Sequence, residues 1–263
     1  MRFIGFVSMG LVLSLLAGAA PATVLAAGPT SAEQSVPTQT MSPEQKAAFE
    51  ALIREYILKN PEVVVESIQL WQERQRAEGE VKAKAAVAEN RNLLENNPNA
   101  PVAGNPKGDI TIVEFFDYRC GYCKRVFPAI QQLIEADGNI RYVFKEFPIL
   151  GPDSTIAAQA AQAVWFIAPD RYLDFHAALM GARGALNEDR VLEIAAKIGL
   201  DRDTVKAGMD DSRVAETLAG NLDLGRTLGV NGTPAFVIGG QLVPGAIDLD
   251  TIKELVAEAR RNS

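Results

Sequence analysis

The chain has 263 residues, of which 48% are hydrophobic and 22% are charged, and its formal net charge is −7. This size is enough for one packed domain with an appendage, and the acidic balance argues against a nucleic-acid partner. Two cysteines and one histidine are present, which is too few ligands for a structural zinc site of cysteine and histidine.

Residues 1–26 have the layout of a secretory signal peptide. Arg2 precedes an apolar run, and Val24 and Ala26 stand at the spacing that a signal peptidase recognises. The run is short for a bilayer span and is interrupted by serine and glycine, which disfavours a retained membrane anchor. We therefore expect an exported, soluble protein that resides in a bacterial periplasm.

The N-terminal part of the mature chain is predicted to be a tether followed by two helices. Residues 28–41 are rich in Pro, Thr, Ser and Gln without apolar periodicity, which indicates disorder. Ser42, Pro43 and Gln45 form a helix-start signature, and Pro61 begins a second helix. Apolar residues recur at every third or fourth position, at Phe49, Leu52, Ile53, Tyr56 and Ile57 in the first helix and at Val64, Ile68 and Trp71 in the second.

We predict that residues 42–95 form a helical oligomerisation region with a connector. Two helices with one apolar stripe each bury little surface alone, so they either dock on the rest of the chain or associate with other copies. Residues 74–92 are mostly polar and include Gly79, which predicts a solvent-exposed helical connector. We expect a homo-oligomer held through residues 42–92.

A run of turn residues between 96 and 109 marks a domain boundary. The patterns that follow predict a strand at 110–117, a helix and a strand at 140–147, which is the unit of a parallel sheet. A wholly helical block comes next, and two short strands and a final helix end the chain. This gives an α/β domain over residues 105–263 with an all-helical insertion at 152–229, in which helices are predicted at 153–168, 170–182, 188–199, 201–209 and 212–228.

Both cysteines lie where a predicted strand gives way to a helix. A disulfide between Cys120 and Cys123 closes too short a loop to stabilise the fold, so redox exchange is the better interpretation. The helix N-terminus favours a thiolate at Cys120, and the positive charges of Arg119, Lys124 and Arg125 act in the same direction. Cys120 is predicted to be the nucleophile, and Cys123 is predicted to resolve the mixed disulfide.

The segment Glu-Phe-Phe-Asp-Tyr-Arg-Cys-Gly-Tyr-Cys at 114–123, the helical insertion and Gly-Thr-Pro-Ala-Phe at 232–236 together resemble the thioredoxin-fold disulfide oxidoreductases of the DsbA type. The resemblance covers residues 105–263. It implies that Pro234 is cis and faces the cysteine pair, and that Thr233 offers backbone groups to a bound substrate chain. No metal and no cofactor are expected.

Two departures within that family bear on the reaction. Strongly oxidising DsbA proteins have Pro-His between the cysteines, whereas this chain has Gly121 and Tyr122, so a milder oxidant is expected. Gly-Tyr together with Thr233 before the proline is similar to the DsbC-type isomerases, which act as oligomers. The N-terminal helix pair resembles that of the suppressor-of-copper-sensitivity C proteins, in which such a region can drive trimerisation.

Glu114 is an acid inside an apolar strand that the predicted sheet covers on both faces. Its carboxylate either escapes to solvent at the strand end or, as the resemblance implies, accepts the proton of Cys123 with a pKa raised by burial. Lys145 on the next strand is a candidate partner for Glu114. His176 is predicted to be a helix residue of the insertion without a catalytic role.

The sequence thus predicts a periplasmic thiol-disulfide oxidoreductase, acting as an isomerase or reductase on exported proteins that carry thiols or disulfides. Isomerisation requires a reduced Cys120, and a membrane redox partner is expected to keep it reduced. Two alternatives stay open. One is a net thiol oxidase of the DsbA type, and the other is a dithiol protein that sequesters Cu(I), an ion that thiolates suit.

Overall fold

The structure is a computed structural model that describes residues 41–262. The chain divides between Pro61 and Glu62 into two compact units. The predicted signal peptide, and the predicted tether up to residue 40, lie outside the described residues. Among residues 41–262, no helix is both long and apolar enough to cross a membrane.

The first unit contains helix α1 (Pro43–Lys59). The predicted start is confirmed, because the Ser42 hydroxyl accepts from the Gln45 amide at 3.2 Å and the Gln45 side chain accepts from the Ser42 amide at 2.9 Å. No residue of α1 is buried. The helix therefore presents exposed apolar side chains, namely Phe49, Leu52, Ile53, Tyr56, Ile57 and Leu58.

The second unit contains a sheet and the remaining described helices. The strands are β1 (Val102–Gly104), β2 (Ile110–Phe116), β3 (Ile140–Glu146), β4 (Ala235–Ile238) and β5 (Gln241–Pro244). The helices are α2 (Glu62–Glu89), α3 (Arg91–Glu95), α4 (Gly121–Asp137), α5 (Pro152–Ile167), α6 (Tyr172–Gly181), α7 (Glu188–Lys197), α8 (Arg202–Met209), α9 (Ser212–Leu228) and α10 (Leu249–Arg261).

The strand order is β1-β3-β2-β4-β5. Strands β2 and β3 are parallel and are joined through α4, and the other pairs are antiparallel. The predicted fold class is confirmed as a thioredoxin fold with a helical insertion and N-terminal helices. Strand β1 was not predicted, because Val102–Gly104 is short and lies within a run of turn residues. It pairs with the outer side of β3.

Side chains alternate between two buried faces of the sheet. The first face includes Ile112, Phe116, Tyr142 and Phe144, and it packs against α4, α10 and the helices of the insertion. The second face includes Val113, Phe115, Val143 and Val237, and it packs against residues near the ends of α2, α3 and α9. The cysteine pair belongs to the first face.

The expected pairing of Lys145 with Glu114 is wrong. The parallel register sets Glu114 opposite Phe144 and Phe115 opposite Lys145, so the acid and the lysine point to opposite faces. The buried Lys145 ammonium donates instead to the Leu93 carbonyl of α3 at 2.8 Å.

The predicted connector at residues 74–92 behaves differently along its length. Helix α2 continues through Gly79, and residues 74–82 are exposed as expected. Further on, Val87 is buried in the second face of the sheet, and Leu94 of α3 joins it there. The exposed connector is therefore confirmed for its first half and wrong for its end, where the helix packs on the sheet domain.

Candidate active site

Helix α4 begins directly after the loop that follows β2, and Cys120 is its N-cap residue. The Cys120 sulfur accepts from the Cys123 backbone amide at 3.4 Å. In its protonated form the Cys120 thiol donates to the Thr233 carbonyl at 3.1 Å. The Thr233–Pro234 peptide bond is cis, as the resemblance implied. Folding therefore brings the cysteine pair against a loop that lies far away along the chain.

Asp117 holds the loop that leads into this site. Its buried carboxylate accepts from the backbone amides of Arg119 at 2.7 Å, Ile149 at 2.9 Å and Leu150 at 3.1 Å, and from the Ser154 hydroxyl at 2.8 Å. These bonds join the end of β2 to the loop after β3 and to the start of α5. Sequence reasoning missed this role, although an aspartate directly after a buried strand was a signal for it.

The pKa values of the two cysteines move in opposite directions. A hydrogen bond with Cys123 is the main cause that lowers the Cys120 pKa to about 5, and it outweighs the opposing effect of burial. Hydrogen bonds from the Thr233 side chain and from the backbone at Cys123 and Tyr122 lower it further. The Cys123 pKa is raised far above its ordinary range by the hydrogen bond with Cys120, by burial and by the charge of Glu114. At neutral pH the site therefore holds a Cys120 thiolate and a Cys123 thiol.

The three neighbouring cations are not among the main causes of the lowered Cys120 pKa. Arg119 pairs with Asp153 at 3.4 Å. Lys124 donates to the carbonyls of Leu179 in α6 and Ala182 directly after it. Arg125 stacks over Tyr122 at 4.9 Å from the ring centre. The main lowering effects come from hydrogen bonds at the N-terminus of α4 and from the Thr233 side chain.

Glu114 lies on the first face of the sheet and is 2% exposed, so the alternative of a carboxylate that escapes to solvent is wrong. Its Oε2 accepts from the Tyr142 hydroxyl at 2.7 Å. Burial raises the Glu114 pKa to about 7, against the lowering effect of the Tyr142 hydrogen bond, and the charge of Cys120 raises it further. This carboxyl can therefore bind and release a proton near neutral pH.

A second buried polar cluster lies on the same face. The hydroxyls of Tyr118 and Tyr172 donate to Glu146 Oε1 at 3.0 and 3.1 Å, and Tyr118 also hydrogen-bonds His176 Nδ1 at 2.9 Å. Burial lowers the His176 pKa to about 3 and raises the Glu146 pKa well above its ordinary value. His176 lies in a helix of the insertion, α6, as predicted, and it is buried there. Glu146 was missed, although its place in an apolar strand resembles that of Glu114.

Among residues 41–262, no group of three or more His, Cys, Asp or Glu side chains is arranged to hold a metal ion. The two sulfurs can supply at most a two-ligand site for a soft ion. A strand that leads to a Cys-x-x-Cys pair at a helix N-terminus, facing a cis-proline loop, defines a thioredoxin-fold dithiol protein.

The family is shown by two matches to protein-family models. Residues 111–257 match the DSBA-like thioredoxin domain, and residues 45–78 match the copper resistance protein ScsC N-terminal domain. The chain belongs to the DSBA-like thioredoxin family and has the N-terminal region of its ScsC members. The resemblance inferred from the sequence is thereby confirmed.

Solved structures agree with this assignment. A thioredoxin-like oxidoreductase from Silicibacter pomeroyi DSS-3 is 46% identical, with a TM-score of 0.63 over 65% of this chain and 98% of that one. Proteus mirabilis ScsC in a transitional conformation is 31% identical, with a TM-score of 0.64 over 85% of this chain and 100% of that one.

Curated relatives match over part of this chain. Disulfide bond formation protein D of Bacillus subtilis is 29% identical over 59% of this chain and 75% of its own length. A Na(+)/H(+) antiporter NhaA 1 of Salinispora arenicola is 30% identical over 60% of this chain, but the match spans only 24% of that protein.

Proposed function

We propose that this chain is a periplasmic thiol-disulfide oxidoreductase that acts on exported proteins through Cys120. The observation that carries the proposal is the contrast within the pair, in which Cys120 has a pKa of about 5 beside the cis-proline loop while Cys123 stays protonated beneath it. An attacking thiolate and a protected resolving thiol are what disulfide exchange requires.

In the proposed reaction, the Cys120 thiolate attacks one sulfur of a substrate disulfide, and the other sulfur leaves as a thiolate. The backbone of Thr233, placed by the cis bond to Pro234, holds the substrate chain by main-chain hydrogen bonds. Cys123 then passes its proton to Glu114 and attacks the Cys120 sulfur. The mixed disulfide breaks, the second substrate thiolate leaves, and the pair is oxidised by two electrons while the substrate disulfide is reduced.

The protein acts as an isomerase when a substrate thiol attacks the mixed disulfide before Cys123 does. Cys120 and Cys123 then end the cycle reduced, as they began it. Gly121 and Tyr122 support this version, because no imidazole between the cysteines stabilises the thiolate. Tyr122 is 57% exposed at the mouth of the site and offers an apolar surface to an unfolded chain. A membrane reductase would keep Cys120 reduced.

Two assays on the full-length protein separate isomerase from net oxidase. The first follows recovery of active ribonuclease from a scrambled form, and the second follows oxidation of a reduced dithiol peptide. We expect activity in the first assay, with the Cys120→Ser variant as the inactive control. Activity in the second assay alone would instead establish the oxidase.

The exposed apolar residues of α1 support the proposal that residues 42–92 hold several copies together, outside a catalytic domain at 105–263. The variant Leu52→Glu, Tyr56→Glu is expected to convert an oligomer to a monomer in light scattering, because charges are costly in an apolar interface. Dithiol oxidation should be unchanged, and recovery of scrambled ribonuclease should fall. A wild-type monomer would refute this part of the proposal.

A second candidate function is Cu(I) sequestration by the dithiol. The match of residues 45–78 to the copper resistance protein ScsC N-terminal domain favours it. Titration of the reduced protein with Cu(I) at nanomolar free ion, compared with the Cys123→Ser variant, tests this function. Equal Cu(I) affinity of the two proteins would show that the dithiol is not the copper-binding site.

A further inference from the structure

Tyr142 stands next to the proton acceptor of the site. In the parallel register, Tyr142 on β3 is opposite Ile112 on β2. Glu114 comes two residues after Ile112 on β2, so it lies on the same face as Ile112 and is opposite Phe144. Both side chains therefore project to the face that carries the cysteines. The phenol hydroxyl donates to Glu114 Oε2 at 2.7 Å, and Tyr142 has no solvent exposure.

We propose that Tyr142 is a positioning residue whose hydroxyl holds the Glu114 carboxylate ionised and aimed to take the proton from Cys123. This inference rests on the proposed function and deepens it. It assigns control of the resolving step to a residue outside the Cys-Gly-Tyr-Cys motif.

The physical basis is a balance at one buried carboxyl. Burial and the Cys120 thiolate disfavour the charged form, and the hydrogen bond from Tyr142 favours it. Three other titratable groups couple to Glu114 and Tyr142, namely Cys123 on α4, Tyr172 on α6 and Glu146 on β3. When charged, each of them disfavours a further negative charge on Glu114 or Tyr142. On β4, the residue opposite Glu114 is the apolar Phe236.

A phenol suits this task because it donates a hydrogen bond without bringing a charge. A buried cation in contact with Glu114 would keep the carboxylate ionised through the whole neutral range, and the proton could not be held. With Tyr142 as the donor, Glu114 takes the Cys123 proton as the Cys120–Cys123 bond forms and returns it when the pair is reduced again.

The variant Tyr142→Phe tests the inference. The rate at which Cys123 releases a thiol from a Cys120–glutathione mixed disulfide is measured from pH 5 to pH 9. A hydrogen bond to a charged acceptor corresponds to a shift of about one pH unit, so the midpoint is expected to rise by about that amount and the rate at pH 6 to fall about tenfold. The matched control is Tyr118→Phe, which removes a buried phenol that donates to Glu146 and should leave the midpoint unchanged.

Two further measurements distinguish a specific role from a damaged fold. Carboxyl-carbon NMR of the reduced protein follows Glu114 directly, and its midpoint should rise in Tyr142→Phe without any turnover. In a Glu114→Gln background, Tyr142→Phe should have no further effect on the rate profile. An unmoved midpoint in wild-type background, or additive effects in the double variant, would overturn the inference alone. A wild-type protein that never resolves the mixed disulfide would overturn the proposed function with it.

Discussion

The two faces of the sheet contain similar apolar side chains, yet they use their buried polar groups differently. On the first face, Glu114 and Glu146 accept hydrogen bonds from phenols and have pKa values raised by burial. On the second face, Lys145 and Arg141 donate to the Leu93 and Glu95 carbonyls near the end of α3. Under the proposed function the buried acid Glu114 serves proton transfer, whereas the cations on helix carbonyls attach α3 to the sheet. Predictions that perturb each face separately test this division.

The largest effect is expected at the sulfurs of the first face. Cys120→Ser should abolish disulfide exchange, because it removes the nucleophile. Cys123→Ser should still attack but should accumulate the mixed disulfide with substrate. Mass spectrometry after incubation with glutathione disulfide measures both. A stable adduct on Cys120→Ser, at Cys123, would reverse the assigned roles.

Glu114→Gln should affect both rate and stability. Resolution of the mixed disulfide should slow by about 10²-fold at pH 7, the range for loss of a positioned acid–base group. The folded pKa of about 7 exceeds the ordinary 4.5, so the native state holds the proton more tightly. The contribution of Glu114 to the free energy of unfolding is therefore fully present below about pH 4.5 and is lost as the pH rises to about 7.

The neutral Glu114→Gln variant does not incur that loss. Measured by urea unfolding of the reduced proteins, it should gain roughly 3 kcal/mol on the wild type between pH 4.5 and pH 8. A constant difference across that range would show that Glu114 does not titrate there.

The smallest effect is expected from Lys145→Met on the second face. The change removes the hydrogen bond to the Leu93 carbonyl and costs about 1–2 kcal/mol of stability, while thiol exchange should be unchanged. Hydrogen exchange at residues 91–95 should become faster, because α3 loses an attachment to β3. A change in the pH profile of mixed-disulfide resolution would show instead that the two faces are coupled.

Local patterns predicted most of the fold. The Ser42 capping box, the apolar strands at 110–117 and 140–147 and the five helices of the insertion are found within about two residues of the expected positions. Each depends on side chains close together in sequence. Strand β1 escaped prediction because its three residues are stabilised by pairing with β3 and not by their own propensities.

The sequence by itself determined the chemistry available to this protein, because its two cysteines are adjacent in one motif and the Thr233-Pro234 motif is recognisable without coordinates. Only the tertiary structure decided which groups tune that chemistry. Whether Glu114 contacts Tyr142 or Lys145 depends on strand register, and a shift of one position exchanges the two faces of a sheet. The electrostatic environment of the sulfurs is a property of residues far apart in the chain, and it exists only once they are packed together.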